Sequence, residues 1–312
     1  MEAVLNPALI LFLSGIIIGI TFKITLPNSI SKYLGYYLLL ALGLKGGLSL
    51  QENGFINDVI SALSLGILFA LLIPAIAYIY LKNILNTDDA AALSGTYGSV
   101  SAVTFVTAIA YLSTTNQDFD NYMSAVLVVM EFPAIFMALY LVTHNKINKG
   151  TNLQTIKTAF LEIPNIILIS SLFVGYFVNK TVISNIDIFI VTVFDYILYV
   201  FLFVMGTRVA KRTGELKGKG VNLIAFALLT PLIGSLIALI ASINFDLSVG
   251  NSTLLMVLTA SASYIAVPAV VKDAIPDANP AIYLGLSLGV TFPFNIIFGI
   301  PLYNELAKYF IG

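Results

Sequence analysis

Long apolar runs alternate with short polar breaks along the whole chain. Ten of them reach or approach the ~20 residues that an α-helix needs to cross a bilayer. They lie near 7–22, 30–50, 58–82, 90–113, 121–144, 164–180, 187–209, 221–244, 252–272 and 281–309. Most breaks are brief, as at Asn86–Asp89 and Thr114–Asp120, and the longest, Asn145 to Glu162, divides the chain. The pattern predicts an all-α membrane protein of ten transmembrane helices. Residues 1–145 form a first five-helix repeat, 146–163 a cytoplasmic linker and 164–312 a second five-helix repeat. The first run resembles a signal peptide in length, but Glu2 and no Lys or Arg precedes it, and many like it follow; it is expected to be a retained span.

Composition agrees with this division. Of 312 residues 59% are hydrophobic and 10% charged, with a mean hydropathy of +0.97. Soluble domains carry about 25% charged residues, so the apolar excess must face lipid. Net charge is −1, which offers no basic field for nucleic acid, and the absence of cysteine excludes disulfides and thiolate sites. The single histidine, His144, is expected in a polar loop and argues against a His-based metal site or a Ser-His-Asp triad. Ten spans put 12 of the 15 Lys and Arg on one side and Lys45, Lys180 and Lys308 on the other. The basic side should be cytoplasmic. Both termini then lie outside a plasma (inner) membrane.

The halves resemble each other. Glu131-Phe132-Pro133 matches Thr291-Phe292-Pro293, 160 residues later, and Lys45-Gly46-Gly47 matches Met205-Gly206-Thr207 at the same offset. The run Ser94 to Ser101 in the fourth span is paired with Thr259 to Ala266 in the ninth; both are rich in small and hydroxyl residues. Five spans per half is odd, so the second half enters from the opposite side, an inverted repeat of the kind found in secondary transporters.

Candidate chemistry concentrates in those runs. Gly98 and Pro268 favour interruption of the fourth and ninth helices near mid-membrane. Each interruption would leave orphan N–H groups at one half-helix start and orphan carbonyls at the other's end, enclosed by protein. Small residues also allow close helix packing, which is the alternative use of the same runs. The N-termini suit a small anion, giving an expected anion set of Gly98, Ser99, Val100, Ser101, Thr104, Ser261, Ser263, Tyr264, Ile265 and Ala266, with Val267 at the second N-terminus. Glu131 is the acidic residue near a span centre, where a carboxylate costs roughly 2.5–3.5 kcal/mol on insertion scales. Pro133 should free the Val129 carbonyl and Pro293 that of Gly289. The expected Na+ set is therefore Gly95, Thr96, Val129, Glu131, Gly289, Thr291 and Asn295; Asn295 serves equally to bond across helices. Asp195 suits a vestibule or an interface, and Lys45 is expected to snorkel outward. The basic segment Lys211 to Lys219 fits the positive-inside rule and is a candidate surface for a cytoplasmic regulatory protein.

These residues resemble the cyanobacterial-type sodium-dependent bicarbonate transporter family. The pieces are Gly43-Leu44-Lys45-Gly46-Gly47, Gly95 to Ser101, Met130-Glu131-Phe132-Pro133-Ala134 and Val204-Met205-Gly206. The most specific is Ala274-Ile275-Pro276-Asp277-Ala278-Asn279-Pro280 with Tyr283-Leu284-Gly285. The resemblance implies a core and a gate domain, a homotrimer, and uptake of bicarbonate driven by inward Na+. It places substrate and Na+ around the broken helices, at Gly98, Ser101, Thr104, Ser261, Ser263 and Glu131. Where the family commonly has an aspartate in the ninth span, this chain has Tyr264, which bears on ion number and substrate. No cofactor is expected beyond Na+ as coupling ion. The alternative from the residues alone is a cation/proton antiporter with Glu131 as proton carrier. An intramembrane enzyme would need a catalytic pair at one depth, and Glu131 stands without one, so no enzyme is expected.

Overall fold

A computed structural model describes residues 7–24, 26–145, 161, 163–178, 193–213, 220–264, 267–268, 271 and 275–312. Among these the chain is helical throughout: α1 (Pro7–Phe22), α2 (Asn28–Asn53), α3 (Asn57–Leu81), α4 (Thr87–Gly98), α5 (Ala102–Thr114), α6 (Met123–Asn145), α7 (Ile163–Phe177), α8 (Val193–Thr213), α9 (Val221–Asn244), α10 (Val249–Ala260) and α11 (Pro280–Ile311). Among the described residues six stretches are long and apolar enough to cross a membrane: α2, α3, the α4–α5 pair, α8, α9 and α11. The shorter apolar helices α1, α7 and α10 accompany them. Side chains such as Ile17, Ile79, Ile240 and Phe298 are each more than 60% exposed. Such a surface is a liability in water but an ordinary lipid-facing one. The chain is a multi-pass membrane protein.

The apolar runs read from the sequence fall on these helices with end shifts of a few residues. The fourth run is split into α4 and α5, and the ninth stops at Ala260, with Val267, Pro268 and Val271 helical again. Apart from positions 161 and 163, the expected linker 146–163 lies outside the described residues, as do 214–219 of the basic segment.

Helix ends follow local chemistry. Asn86 caps α4 by accepting the Asp89 N–H at 2.8 Å, and Ser248 caps α10 by accepting the Asn251 N–H at 3.3 Å. Gly54 ends α2 at a φ of +65°, with its N–H on the Leu50 carbonyl. Only glycine takes that conformation without strain. Pro293 lies between two π-helical turns of α11, Ser287–Thr291 and Asn295–Gly299. The expectation that Pro293 simply frees one carbonyl is corrected here: the helix widens on both sides of the proline.

Two helix crossings dominate one side of the bundle. α1 packs along α8, and α2 along α7. Both rest on small residues four apart: Gly15 and Gly19 against Gly206 and Ala210, and Gly43 and Gly47 against Ser171 and Gly175. A Cβ on Gly47 would overlap the Leu172 carbonyl, and one on Gly175 the Leu44 carbonyl. Without a hydrophobic drive between helices in lipid, such close backbone approach supplies the association. Lys45 does not snorkel freely; its Nζ lies 4.6 Å from the centroid of the Phe194 ring on α8. Asp195, in the first turn of α8, is exposed. The other group is α3 with α4 and α6, and α9 with α10 and α11.

Distant segments are tied by two buried polar contacts. Asp89, 7% exposed, accepts the Asn279 N–H at 2.6 Å on Oδ1 and the Asn86 amide at 2.7 Å on Oδ2. Asn251 in α10 accepts the Asp120 N–H at 2.9 Å and donates to Asp120 and Tyr122 at 2.7 and 2.8 Å. In each case the first turn of a helix that leads into an interruption holds the loop that precedes another helix, α11 for Asp89 and α6 for Asn251. The Asn279 loop is the most specific piece of the resemblance, and the contact gives it a physical role. Replacing Asp89 by Ala leaves a buried main-chain donor unmet and removes a charged acceptor. The expected loss is about 2–4 kcal/mol, read as a lower unfolding temperature in detergent; Asp89→Asn should lose less because its amide oxygen still accepts.

Candidate functional site

The site begins where α4 stops. Gly98, its last residue, is pressed against α3; a Cβ there would overlap the Pro74 ring. Ser99, Val100 and Ser101 leave the helix, with Ser99 and Ser101 extended at φ/ψ of −91°/168° and −106°/105°. Ser101 then caps α5, its Oγ accepting the Thr104 N–H at 3.2 Å and the Thr104 hydroxyl at 2.9 Å. α10 ends in the same way at Ala260, followed by extended Ser261. The Ser263 Oγ accepts the Val267 N–H at 3.3 Å, as a cap does.

The two interruptions cross in contact. The Ser263 N–H donates to the Thr96 carbonyl at 2.8 Å, and the Ser101 N–H donates to Ser261 Oγ at 2.9 Å. Ser261 passes its own proton to the Leu258 carbonyl at 2.9 Å. Exposed backbone groups at each break are thus satisfied partly by the other break, which lipid could not do. Each break follows a 12-residue helix, with Ser99–Ser101 after α4 and Ser261–Ser263 after α10. The small residues Ser94 to Gly98 belong to the helix and serve its packing, and only the last three of the run leave it.

Glu131 of α6 is brought to this crossing. It is buried, accepts the Ser99 hydroxyl at 3.1 Å on Oε2, and takes a further hydrogen bond from the Val100 N–H. Beside it lies a cavity of about 40 Å³, room for roughly three water-sized groups. The crossing contributes Val100, Ser101, Ser263 and Tyr264; α5 contributes Ala102 and Val103; α6 contributes Leu127 and Glu131. The far wall is Leu39 of α2 with Pro164, Asn165 and Leu168 of α7. Ala102 and Val103 open α5, where N–H groups have no intrahelical acceptor. A larger space of about 230 Å³ between α3 and α9 is walled mainly by aliphatic and aromatic side chains. It offers a small ion little.

Of the expected anion set, Val100, Ser101, Ser263 and Tyr264 line the cavity. Ser99, Thr104 and Ser261 support it through their bonds to Glu131 and Ser101, and Gly98 supports it through packing. Ile265 and Ala266 lie outside the described residues. The expected Na+ set does not gather. Only Glu131 reaches the cavity. The Asn295 amide donates to the Ala260 carbonyl at 2.8 Å and its oxygen accepts the Tyr303 hydroxyl at 2.9 Å, so it bonds across helices. Thr291 donates to the Ala227 carbonyl at 2.7 Å and takes the Tyr97 hydroxyl. The Gly95 carbonyl accepts the Ser99 N–H at 3.2 Å, and the Thr96 carbonyl the Ser263 N–H. Val129 lies within α6 and Gly289 within the first π-helical turn of α11. Asn165, Leu39 and Leu168 were not foreseen; the Pro164-Asn165 pair opening an apolar run was the available signal for Asn165.

A family model of the Na+-dependent bicarbonate transporter superfamily matches residues 7–308. The chain belongs to this superfamily. The resemblance read from Gly43–Gly47, Gly95–Ser101, Glu131 and the Asn279 loop is thereby borne out at the level of the superfamily. No curated protein matches the chain. Superfamily membership makes it a transporter, with Na+ as the ion on which the family depends.

Proposed function

We propose that this chain imports bicarbonate, or a similar small anion, together with Na+ by alternating access. The observation that carries the reading is the cavity at the crossing, which joins half-helix N–H groups and serine hydroxyls to a buried carboxylate, Glu131. Donors of that kind favour an anion. Glu131 opposes one, because two like charges about 4 Å apart cost about 4 kcal/mol at an effective dielectric of 20. A Na+ bound against Glu131 removes that repulsion, so anion and cation occupy the site together or poorly. The membrane potential reinforces the pairing. A lone anion entering a negative cell faces about 2.3 kcal/mol per 100 mV; a co-bound Na+ cancels this term, and each tenfold Na+ gradient adds roughly 1.4 kcal/mol.

In this reading ten spans form two inverted repeats, 1–145 and 164–312, with the fourth and ninth interrupted and both termini outside the inner membrane. The small-residue pairs α1–α8 and α2–α7 form the gate domain, the remaining helices the core, and the cavity lies where Leu39 and Asn165 of the first meet Ser101 and Ser263 of the second. A homotrimer, and a cytoplasmic regulatory protein meeting the basic segment 211–219, complete it.

The test is labelled-bicarbonate uptake into proteoliposomes with and without an inward Na+ gradient. Faster uptake with the gradient is expected; equal uptake ends the reading. Because Glu131 is the carboxylate lining the cavity, the cation/proton antiporter is the second reading. It requires Na+-driven acid movement with no anion added, which an internal pH dye measures in the same vesicles.

A further inference from the structure

Tyr264 follows the second extended segment directly and is among the residues that line the cavity. The hydroxyl oxygen is fully buried and makes no hydrogen bond of full geometry; it faces the Ser101 hydroxyl and feels the charge of Arg208 on α8. The ring is held independently, edge-on to Phe292 at 5.3 Å between centroids and 65° between planes. A buried donor left unmet loses about 1–3 kcal/mol, so a side chain fixed in this position by its ring is poised for a ligand to complete. Neighbouring hydroxyls point the same way. Ser101 Oγ accepts twice from Thr104, and Ser263 Oγ accepts from Val267, which leaves both their protons to give. Three hydroxyl-bearing residues, on two chain segments, line a space that holds only a few heavy atoms.

We infer that the Tyr264 hydroxyl donates a hydrogen bond to an oxygen of the bound anion, and that with Ser101 and Ser263 it suits the cavity to a small oxyanion. A neutral phenol is a donor to an anion and a poor anchor for Na+. Glu131 is then the one carboxylate among the described side chains lining the cavity that can face the cation. This deepens the anion-transport reading and rests on it.

Tyr264→Phe removes the oxygen and keeps the ring on Phe292, so the fold should stand. In proteoliposomes with a saturating Na+ gradient, the bicarbonate KM should rise about 10- to 150-fold, the range that one buried hydrogen bond to a charged group spans. The Na+ half-saturation at high bicarbonate should stay within twofold, and the maximal rate should fall far less than KM rises. An unmoved bicarbonate KM overturns the inference, as does a shift confined to the Na+ half-saturation, which would make the oxygen a cation ligand. Incorporating 3-fluorotyrosine at 264 tests the same bond from the other direction. The more acidic phenol is a stronger donor and should lower KM, whereas a KM equal to that of the Phe variant sinks the idea. Wild-type vesicles run alongside separate the two claims: absent Na+-driven uptake there defeats the transport reading, and normal uptake there with an unmoved variant defeats only the Tyr264 donor.

Discussion

Glu131→Gln should abolish the Na+ dependence of uptake and lower the Na+-driven rate by about 10²–10³-fold. The amide is nearly isosteric with the carboxylate. Its oxygen can still accept from the Ser99 hydroxyl and the Val100 N–H, so the crossing should persist and the unfolding temperature move little. What disappears is the charge. A cation about 4 Å from a carboxylate gains about 4 kcal/mol at an effective dielectric of 20, which corresponds to roughly a thousandfold in occupancy at a given Na+ concentration. The variant also relieves the repulsion of the anion, so residual bicarbonate binding without Na+ should persist or strengthen. Measuring Na+ half-saturation and Na+-free bicarbonate binding on one preparation distinguishes this from a general loss of function. Unchanged Na+ dependence in a folded Gln variant removes Glu131 from the cation site.

The second large effect concerns assembly. Gly47→Ala adds one methyl, yet that carbon would overlap the Leu172 carbonyl, a main-chain group that cannot rotate away. α2 and α7 must then separate along much of their length. Overpacking of this kind typically loses 1–3 kcal/mol and occasionally more, and here the separated pair also widens the cavity wall at Leu39 and Leu168. Little folded protein, with an unfolding temperature lowered by several degrees or more, is expected from detergent extracts. Gly35→Ala on the same helix is the control. Its Cβ would sit 3.6 Å from the Phe201 ring, in ordinary contact, and stability should be unchanged. Equal behaviour of the two variants would show that the α2–α7 approach is not what holds these helices together.

The spans were legible because lipid imposes a length and a composition on whatever crosses it, and the runs at 7–22 and 221–244 coincide with α1 and α9. The interruptions were legible too, since hydroxyl and small residues are out of place in an apolar helix. Their contents were less so. Hydropathy could flag Asn295 and Thr291 as polar groups in α11, but it could not separate a cation ligand from a group that satisfies the Ala260 or Ala227 carbonyl. That choice depends on which backbone acceptors the neighbouring helices leave open, and is decided only by packing. The cavity wall from α2 and α7 was missed for the same reason: Leu39 and Leu168 look like any other aliphatic residues in a span. Gly46-Gly47 marks the repeat, and Gly43 to Gly47 the family resemblance, by sequence alone; that Gly43 and Gly47 form a contact surface for α7 emerges only from packing. By sequence Tyr264 belongs to the expected anion set and marks a missing charge; that its hydroxyl is an uncommitted donor emerges from its burial.

The contact between Ser101 and Ser261 joins positions 160 residues apart. At a synthesis rate of about 5–20 residues per second, the partner of the Ser101 N–H is made roughly ten to thirty seconds after it. Were α4 and α5 at full depth throughout that interval, the Thr96 carbonyl and the Ser101 N–H would be unmatched in hydrocarbon, a state that is penalised heavily. The first break must therefore wait near the aqueous face, or beside the insertion machinery, and reach its final depth only with α10. Biogenesis, rather than transport, is then the stage at which substitutions in either extended segment should do their earliest damage.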